Sequence, residues 1–165
     1  MKIKYRDYTE SDKNEILRLF LLFGNFFKDI DDLKRIVVRD NYSEVIFKEM
    51  IQKVKGNEGF IFVVEDVEKK KLAGFIQGSI SYITKDNSVE SVEAKKGRID
   101  ELFVENDYRG LGIGKDLMAM AEDLFKDKNC DVINLEVFAP NSNALKFYES
   151  LGFSTRNYDL IKVIK

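Results

Sequence analysis

Residues 108 to 115 read YRGLGIGK, with Gly110, Gly112 and Gly114 alternating with Leu111 and Ile113, Arg109 in front and Lys115 behind. Glycines at this density let a backbone come close to a ligand. A strand-like run precedes the loop (GRIDELFV, 97 to 104), and Ile113, Leu117, Met120, Ala121 and Leu124 follow at helical spacing. Successive amide N–H groups therefore gather at a helix N-terminus, where the helix dipole adds partial positive charge, and that suits a diphosphate. Two familiar phosphate patterns fail on spacing. A Walker A loop needs glycine five residues before Gly114, where Arg109 stands, and Ser or Thr after the lysine, where Asp116 stands. The dinucleotide fingerprint needs its third glycine one residue later. No magnesium-holding pair accompanies the loop, so the phosphates read as a handle rather than the reacting group.

The rest of the composition narrows the chemistry. The chain has 165 residues and no histidine, which removes Ser-His-Asp triads, histidine bases and most catalytic zinc sites. Proton transfer falls to a carboxylate, tyrosine, lysine, amine terminus or water. The lone Cys130 forms no internal disulfide and fits a reducing cytoplasm. A net charge of −2 and a pI of 5.4 argue against a nucleic-acid partner. The N-terminus is polar and carries no secretory pattern. The most apolar run, residues 16 to 27, is shorter than the ~20 residues of a membrane span and is interrupted by Arg18, Gly24 and Asn25, so no membrane partner is expected.

The elements that must position the loop follow from periodicity. Residues 2 to 6 read as a strand, Asp12 and Glu15 open a helix that Gly24-Asn25 ends, and 31 to 55 read as further helix in two pieces, broken at Asn41-Tyr42-Ser43. Residues 59 to 66 and 72 to 83 form a hairpin, and 84 to 96 a polar loop. The third strand, 97 to 104, sets Ile99, Glu101 and Phe103 on one face and Leu102 and Val104 on the other. Residues 131 to 138 make a core strand, Asn141 caps a helix, Gly152 stops it, and 156 to 164 form a last strand. The expected class is a single α/β domain over 1 to 165.

With these elements in place, the chain resembles the GNAT superfamily of N-acetyltransferases. Their acetyl-CoA loop, [Q/R]-x-x-G-x-[G/A], reads here Arg109-Gly110-Leu111-Gly112-Ile113-Gly114. The family's N-x-x-A-[IL]-x-x-Y-x-x-x-G-F is met at every specified position by NSNALKFYESLGF, residues 141 to 153. The resemblance implies a central mixed, mostly antiparallel sheet flanked by helices, acetyl-CoA as co-substrate without a metal, and direct acetyl transfer to an amine in a ternary complex. Three jobs then need residues. Backbone amide at the strand end Leu102-Phe103-Val104, foremost Val104, would polarise the thioester carbonyl, and this stretch would pair with the pantetheine arm. Tyr148, two helical turns after Asn141, would protonate the departing thiolate, with Asn141 as a further cofactor contact. The base would be Glu136, at the spacing used by ribosomal-protein alanine acetyltransferases, or Glu101, on the strand entering the glycine loop. The two are weighted equally.

The resemblance implies a primary amine as acceptor, on a small molecule or a peptide N-terminus, which segment 24 to 57, loop 84 to 96 and the C-terminal strand would receive. Phe26, Phe27 and Tyr42 are candidate walls, and Asp29, Asp31, Asp32, Glu90 and Glu93 candidate attractors of a cation. A homodimer is compatible with the sequence. The competing class is an acyl-CoA-binding sensor or interaction module without turnover.

Overall fold

The computed structural model describes residues 1 to 164. Five strands form one sheet in the order β1-β2-β3-β4-β5: β1 (Ile3–Asp7), β2 (Phe60–Asp66), β3 (Lys71–Ile83), β4 (Ala94–Val104) and β5 (Val132–Asn134). β1 to β4 run antiparallel to their neighbours, and β5 is parallel to β4. The expected mixed α/β class is what the chain adopts. Helices α1 (Lys13–Ile30) and α2 (Tyr42–Gly56) cover one face, packing Ile16, Phe20, Phe23 and Met50 onto Val63, Phe75 and Phe103. Helices α3 (Ile113–Asp127) and α4 (Ser142–Ser150) cover the other, packing Leu117, Ala121 and Tyr148 with Ile76 and Ile99. Interior strand β2 reads as a near-continuous apolar run, FIFVV, because both of its faces are covered.

Several expectations are corrected. α1 runs through Gly24-Asn25 to Ile30. Gly24 serves close approach instead: a Cβ there would stand 2.5 Å from the ring of Tyr42. Residues 31 to 41 hold turns rather than helix, because the buried Asp31 carboxylate accepts N–H bonds from Leu33, Arg35 and Ile36 at 3.1, 2.6 and 2.8 Å. The same bonds make Asp31 a loop organiser. Asn41-Tyr42-Ser43 opens α2 rather than breaking a helix. β4 starts at Ala94, inside the expected loop. The strand expected over 131 to 138 pairs only over Val132–Asn134, and 156 to 164 adopt no strand in this chain, lying exposed.

The face assignment within β4 also changes. Gly78 pairs with Ile99 and Gln77 with Glu101, so Asp100 is an extra residue in a bulge. Ile99 stays on the α3 face, while Phe103 joins the α1–α2 cluster. The Asp100 carboxylate is held beneath this kink by Gln77 Nε2 (3.0 Å), Ser79 Oγ (2.8 Å), Arg98 Nε (3.2 Å) and Lys53 Nζ (3.4 Å).

Candidate active site

β4 and β5 are joined only where Lys96, Gly97 and Arg98 face Val132, Ile133 and Asn134. Past Arg98 the two chains diverge, leaving an open edge on β4 from Ile99 to Val104. Glu105 N–H bonds Ala73 on the β3 side (2.9 Å). Strand alternation then turns the N–H and C=O groups of Leu102 and Val104 the other way, into the crevice, and those of Phe103 toward β3. Arg109 Nε donates to the Val104 carbonyl at 2.8 Å. Its guanidinium stacks over Phe26 and Phe103, 5.1 and 5.7 Å from the ring centroids. Arg109 is therefore committed to fixing the strand end to the loop, a job that the motif alone did not disclose.

At the mouth of the crevice lies the glycine loop. Gly110 and Gly112 have φ of 76° and 85°, in the left-handed region that side-chain-bearing residues avoid. Gly112 is the N-cap of α3, and its carbonyl accepts from Lys115 and Asp116 at 2.9 and 3.1 Å. Among the described residues, no protein acceptor takes the amides of Gly110 through Gly114. A Cβ on Gly110 or Gly112 would meet nothing within 4 Å, so the space before them is open. Open space, free amides and a helix N-terminus together fit a diphosphate. Leu111 and Ile113 shape the turn differently, the first exposed and the second buried against α3's core. The loop is anchored from behind: buried Tyr108 donates to Asp66 at 2.8 Å, and Tyr5 bonds Asp116 in the first turn of α3.

On the crevice's far wall, the Asn141 side chain accepts from Ala144 N–H at 3.2 Å, the expected cap. Two turns on, Tyr148 is buried between Phe147 and Phe153, at centroid distances of 5.1 and 5.7 Å. Its hydroxyl takes no protein partner among the described residues. Burial first, and the charge of Glu101 second, push the phenol up to about 12. Tyr148 and Glu101 thus share one electrostatic environment although they come from opposite sides of the sheet.

Glu101 is half-buried and makes no protein hydrogen bond among the described residues. Burial, then the neighbouring charge of Asp100, raise its carboxyl from 4.5 to about 7, with Lys53 and Arg98 pulling the other way. Tyr42 is raised by burial and then by Glu101's charge, so it also borders this carboxyl. Glu136 has a different setting. Its side chain is 82% exposed and pairs with Arg98 at 3.1 Å. Glu101 and Tyr148 feel each other's charge, and Arg98, which pairs with Glu136, also bonds Asp100 and acts on Glu101. Tyr42 and Asp100 as neighbours of the carboxyl were not legible from motif spacing: α2 brings the first in, the bulge the second. No helix among the described residues is long and apolar enough to cross a membrane.

Comparison with known proteins gives the same frame. The model of the acetyltransferase (GNAT) family matches residues 26 to 153. An N-alpha-acetyltransferase of Sulfurisphaera tokodaii is 29% identical over 148 residues, covering 89% of this chain and 86% of that protein. An uncharacterized N-acetyltransferase of Methanocaldococcus jannaschii is 28% identical over 151 residues, covering 92% of this chain and 60% of the relative. N-alpha-acetyltransferase 30 of Saccharomyces cerevisiae is 47% identical over 58 residues, 35% of this chain and 33% of the yeast protein. The chain thus spans between a third and three fifths of the length of these last two relatives. Among solved structures, a tetramutant protein of Bacillus halodurans superposes with a TM-score of 0.81 at 24% identity, over 99% of this chain and 100% of that one. Glucosamine-6-phosphate N-acetyltransferase of Arabidopsis thaliana superposes with a TM-score of 0.68 at 21% identity, with both chains covered completely. With the family model matching most of its length and the crevice built as described, the chain belongs to the acetyltransferase (GNAT) family.

Proposed function

We propose that this chain transfers an acetyl group from acetyl-CoA to a primary amine, with the α-amino group of a peptide as the favoured acceptor. The observation that carries the reading is the half-buried Glu101 carboxyl, raised to about 7, on the same crevice as Tyr148 and the free amides of the glycine loop. A group near 7 both accepts a proton and is ionised at working pH, which is what a general base needs. The relatives named as N-alpha-acetyltransferases support the acceptor class.

In this reading the amides of Gly110 to Gly114 hold the pyrophosphate, and the open edge of β4 at Leu102 and Val104 takes the pantetheine arm as an added strand would. Asn141 would be a further contact of that arm. Glu101, directly or through water, takes a proton from the incoming ammonium. The freed nitrogen attacks the thioester carbon, and the carbonyl oxygen, gaining negative charge, accepts the Val104 N–H. The C–N bond forms, the C–S bond breaks, and the thiolate takes the phenol proton of Tyr148. At about 12 the phenol remains protonated at neutral pH, so the proton is there to give. Glu136, exposed and paired with Arg98, is not the base in this reading.

The test is thiol release from acetyl-CoA against amines, polyamines, amino acids and N-terminal peptides. Release with a peptide N-terminus is expected. Acetyl-CoA binding with no release across the whole panel overturns the enzyme reading in favour of an acyl-CoA sensor.

A further inference from the structure

Val104 is the last residue of β4, and acetyl transfer as proposed asks its N–H to meet a thioester oxygen at a fixed place. The backbone around it supplies little support. On the crevice side, β4 has no partner strand after Arg98 among the described residues. On the other side, the last bond runs from Glu105 N–H to the Ala73 carbonyl at 2.9 Å. Ala73 is itself an extra residue: Val64 pairs with Gly74 and Glu65 with Leu72, so β3 is bulged there. The strand end thus rests on irregular backbone and is open along its outer edge.

Four charged side chains supply what the ladder does not. Glu15 and Arg18 of α1 bind both backbone groups of Leu72, the carboxylate accepting its N–H at 3.0 Å and the guanidinium donating to its carbonyl at 2.8 Å. Arg18 also pairs with Glu15 at 3.0 Å and reaches Glu105, which follows Val104 in the chain, at 3.1 Å. Lys71, at the start of β3, meets the same Glu105 carboxylate at 3.2 Å. That side chain is only 18% exposed, so its two cations are weakly screened and hold it in one place. Lys71 also lies over the Tyr108 ring, 5.4 Å from its centroid. The cluster therefore ties the strand end to α1, to β3 and to the residue that anchors the glycine loop.

We propose that Glu105, clamped between Arg18 and Lys71, is a positioning residue that sets the Val104 N–H against the acetyl carbonyl oxygen. It acts through Val104 and not on the substrate, and the inference rests on the acetyl-transfer reading above. Glutamine at this position keeps one acceptor oxygen but turns an NH2 group toward the second cation, so the clamp opens on one side. A displacement of about 1 Å at a group that stabilises the transition state can cost roughly 100-fold in rate. The glycine loop keeps its own anchors, Tyr108 on Asp66 and Tyr5 on Asp116, so the loss falls on kcat and not on acetyl-CoA binding.

The full chain is loaded with acetyl-CoA isotope-labelled at its carbonyl, without amine, and the carbonyl stretch is read by difference infrared spectroscopy. Binding to the wild type should lower the stretch, as a hydrogen bond to the oxygen does. Glu105→Gln should lose most of that lowering, with kcat down roughly 10- to 100-fold and the Kd of acetyl-CoA within about twofold. Lys71→Met removes one arm and leaves Arg18 in place; it should lose a smaller part of the lowering, and it carries the test if Glu105→Gln does not fold. A wild-type stretch that binding leaves unchanged overturns the carbonyl contact at Val104, and this inference with it. A lowered wild-type stretch that both variants preserve overturns the positioning role alone, as does a loss confined to acetyl-CoA affinity.

Discussion

Replacing Glu101 by Gln separates the proposed base from the fold that raises it. The folded protein lifts this carboxyl from 4.5 to about 7, chiefly by burial and secondly through Asp100. Its folded pKa is raised, so the folded state holds the proton more tightly than the unfolded chain and ionisation opposes folding. Below about pH 4.5 both states are protonated and the penalty is absent. It grows as pH rises through the interval and is complete above about pH 7. At 1.36 kcal/mol per tenfold, the full interval amounts to about 3 kcal/mol. Glutamine cannot ionise, and its amide stays half-solvated at this position. Glu101→Gln should therefore match the wild type near pH 4.5 and exceed its stability near pH 8 by about 1–3 kcal/mol. For a chain of this length that is a Tm gain of roughly 3–10 °C. Thermal and urea melts at the two pH values measure it, while thiol release at about pH 8 should fall by roughly 100-fold. A variant less stable than the wild type at the higher pH, or a difference independent of pH, would refute the placement of this carboxyl.

Five further outcomes follow from the same geometry. The acid limb of kcat/KM in the wild type should lie near 7 and vanish in Glu101→Gln, whereas Glu136→Gln should keep it, since that carboxylate is solvent-facing and paired with Arg98. Tyr148→Phe should lower turnover by roughly 100-fold and leave acetyl-CoA affinity within about twofold, read by isothermal titration, because only the hydroxyl is lost. Gly112→Val must hold a β-branched side chain at φ 85° and should weaken acetyl-CoA by at least about tenfold. Gly114→Ala, whose Cβ would meet Phe147 at 3.4 Å within a regular helix, should bind nearly as the wild type does. Gly24→Ala, though a better helix former, must displace the Tyr42 ring and should raise the KM of the amine more than that of acetyl-CoA.

The glycine loop, its helix and the capped helix α4 were legible because each depends on local rules: left-handed backbone at Gly110 and Gly112, a cap at Asn141, apolar residues at helical spacing. Errors arose where a distant contact overrode a local rule. Gly24-Asn25 has the form of a helix stop, yet Tyr42, eighteen positions on, needs the space that the glycine leaves. Residues 31 to 41 carry helical-looking apolar spacing, but the buried Asp31 takes three amides and bends the chain instead. Residues 156 to 164 have strand composition, and a strand forms only where an edge receives it.

The bulge at Asp100 is the part that alternation could not disclose, and the proposed chemistry depends on it. Strict alternation would put Glu101 on the same face as Ile99, packed toward α3. One extra residue leaves Ile99 there and turns Glu101 with Phe103 toward α1 and α2, where Tyr42 and Lys53 lie. A bulge also bends its strand, and pairing with β5 ends at Arg98, two residues before it. The same insertion can therefore account for both the crevice and the carboxyl's place on it. An acidic residue at the bulge suits this arrangement: Asp100 accepts from Gln77, Ser79, Arg98 and Lys53, which fixes the kink, and its charge helps to raise Glu101. Hydrogen-bonding and charge are separable, because Asp100→Asn keeps a side-chain oxygen to accept from Gln77 and Ser79. It should retain the crevice and move the acid limb of the rate profile below 7. If the limb stays where it is, burial alone sets Glu101's protonation, and the bulge serves geometry only.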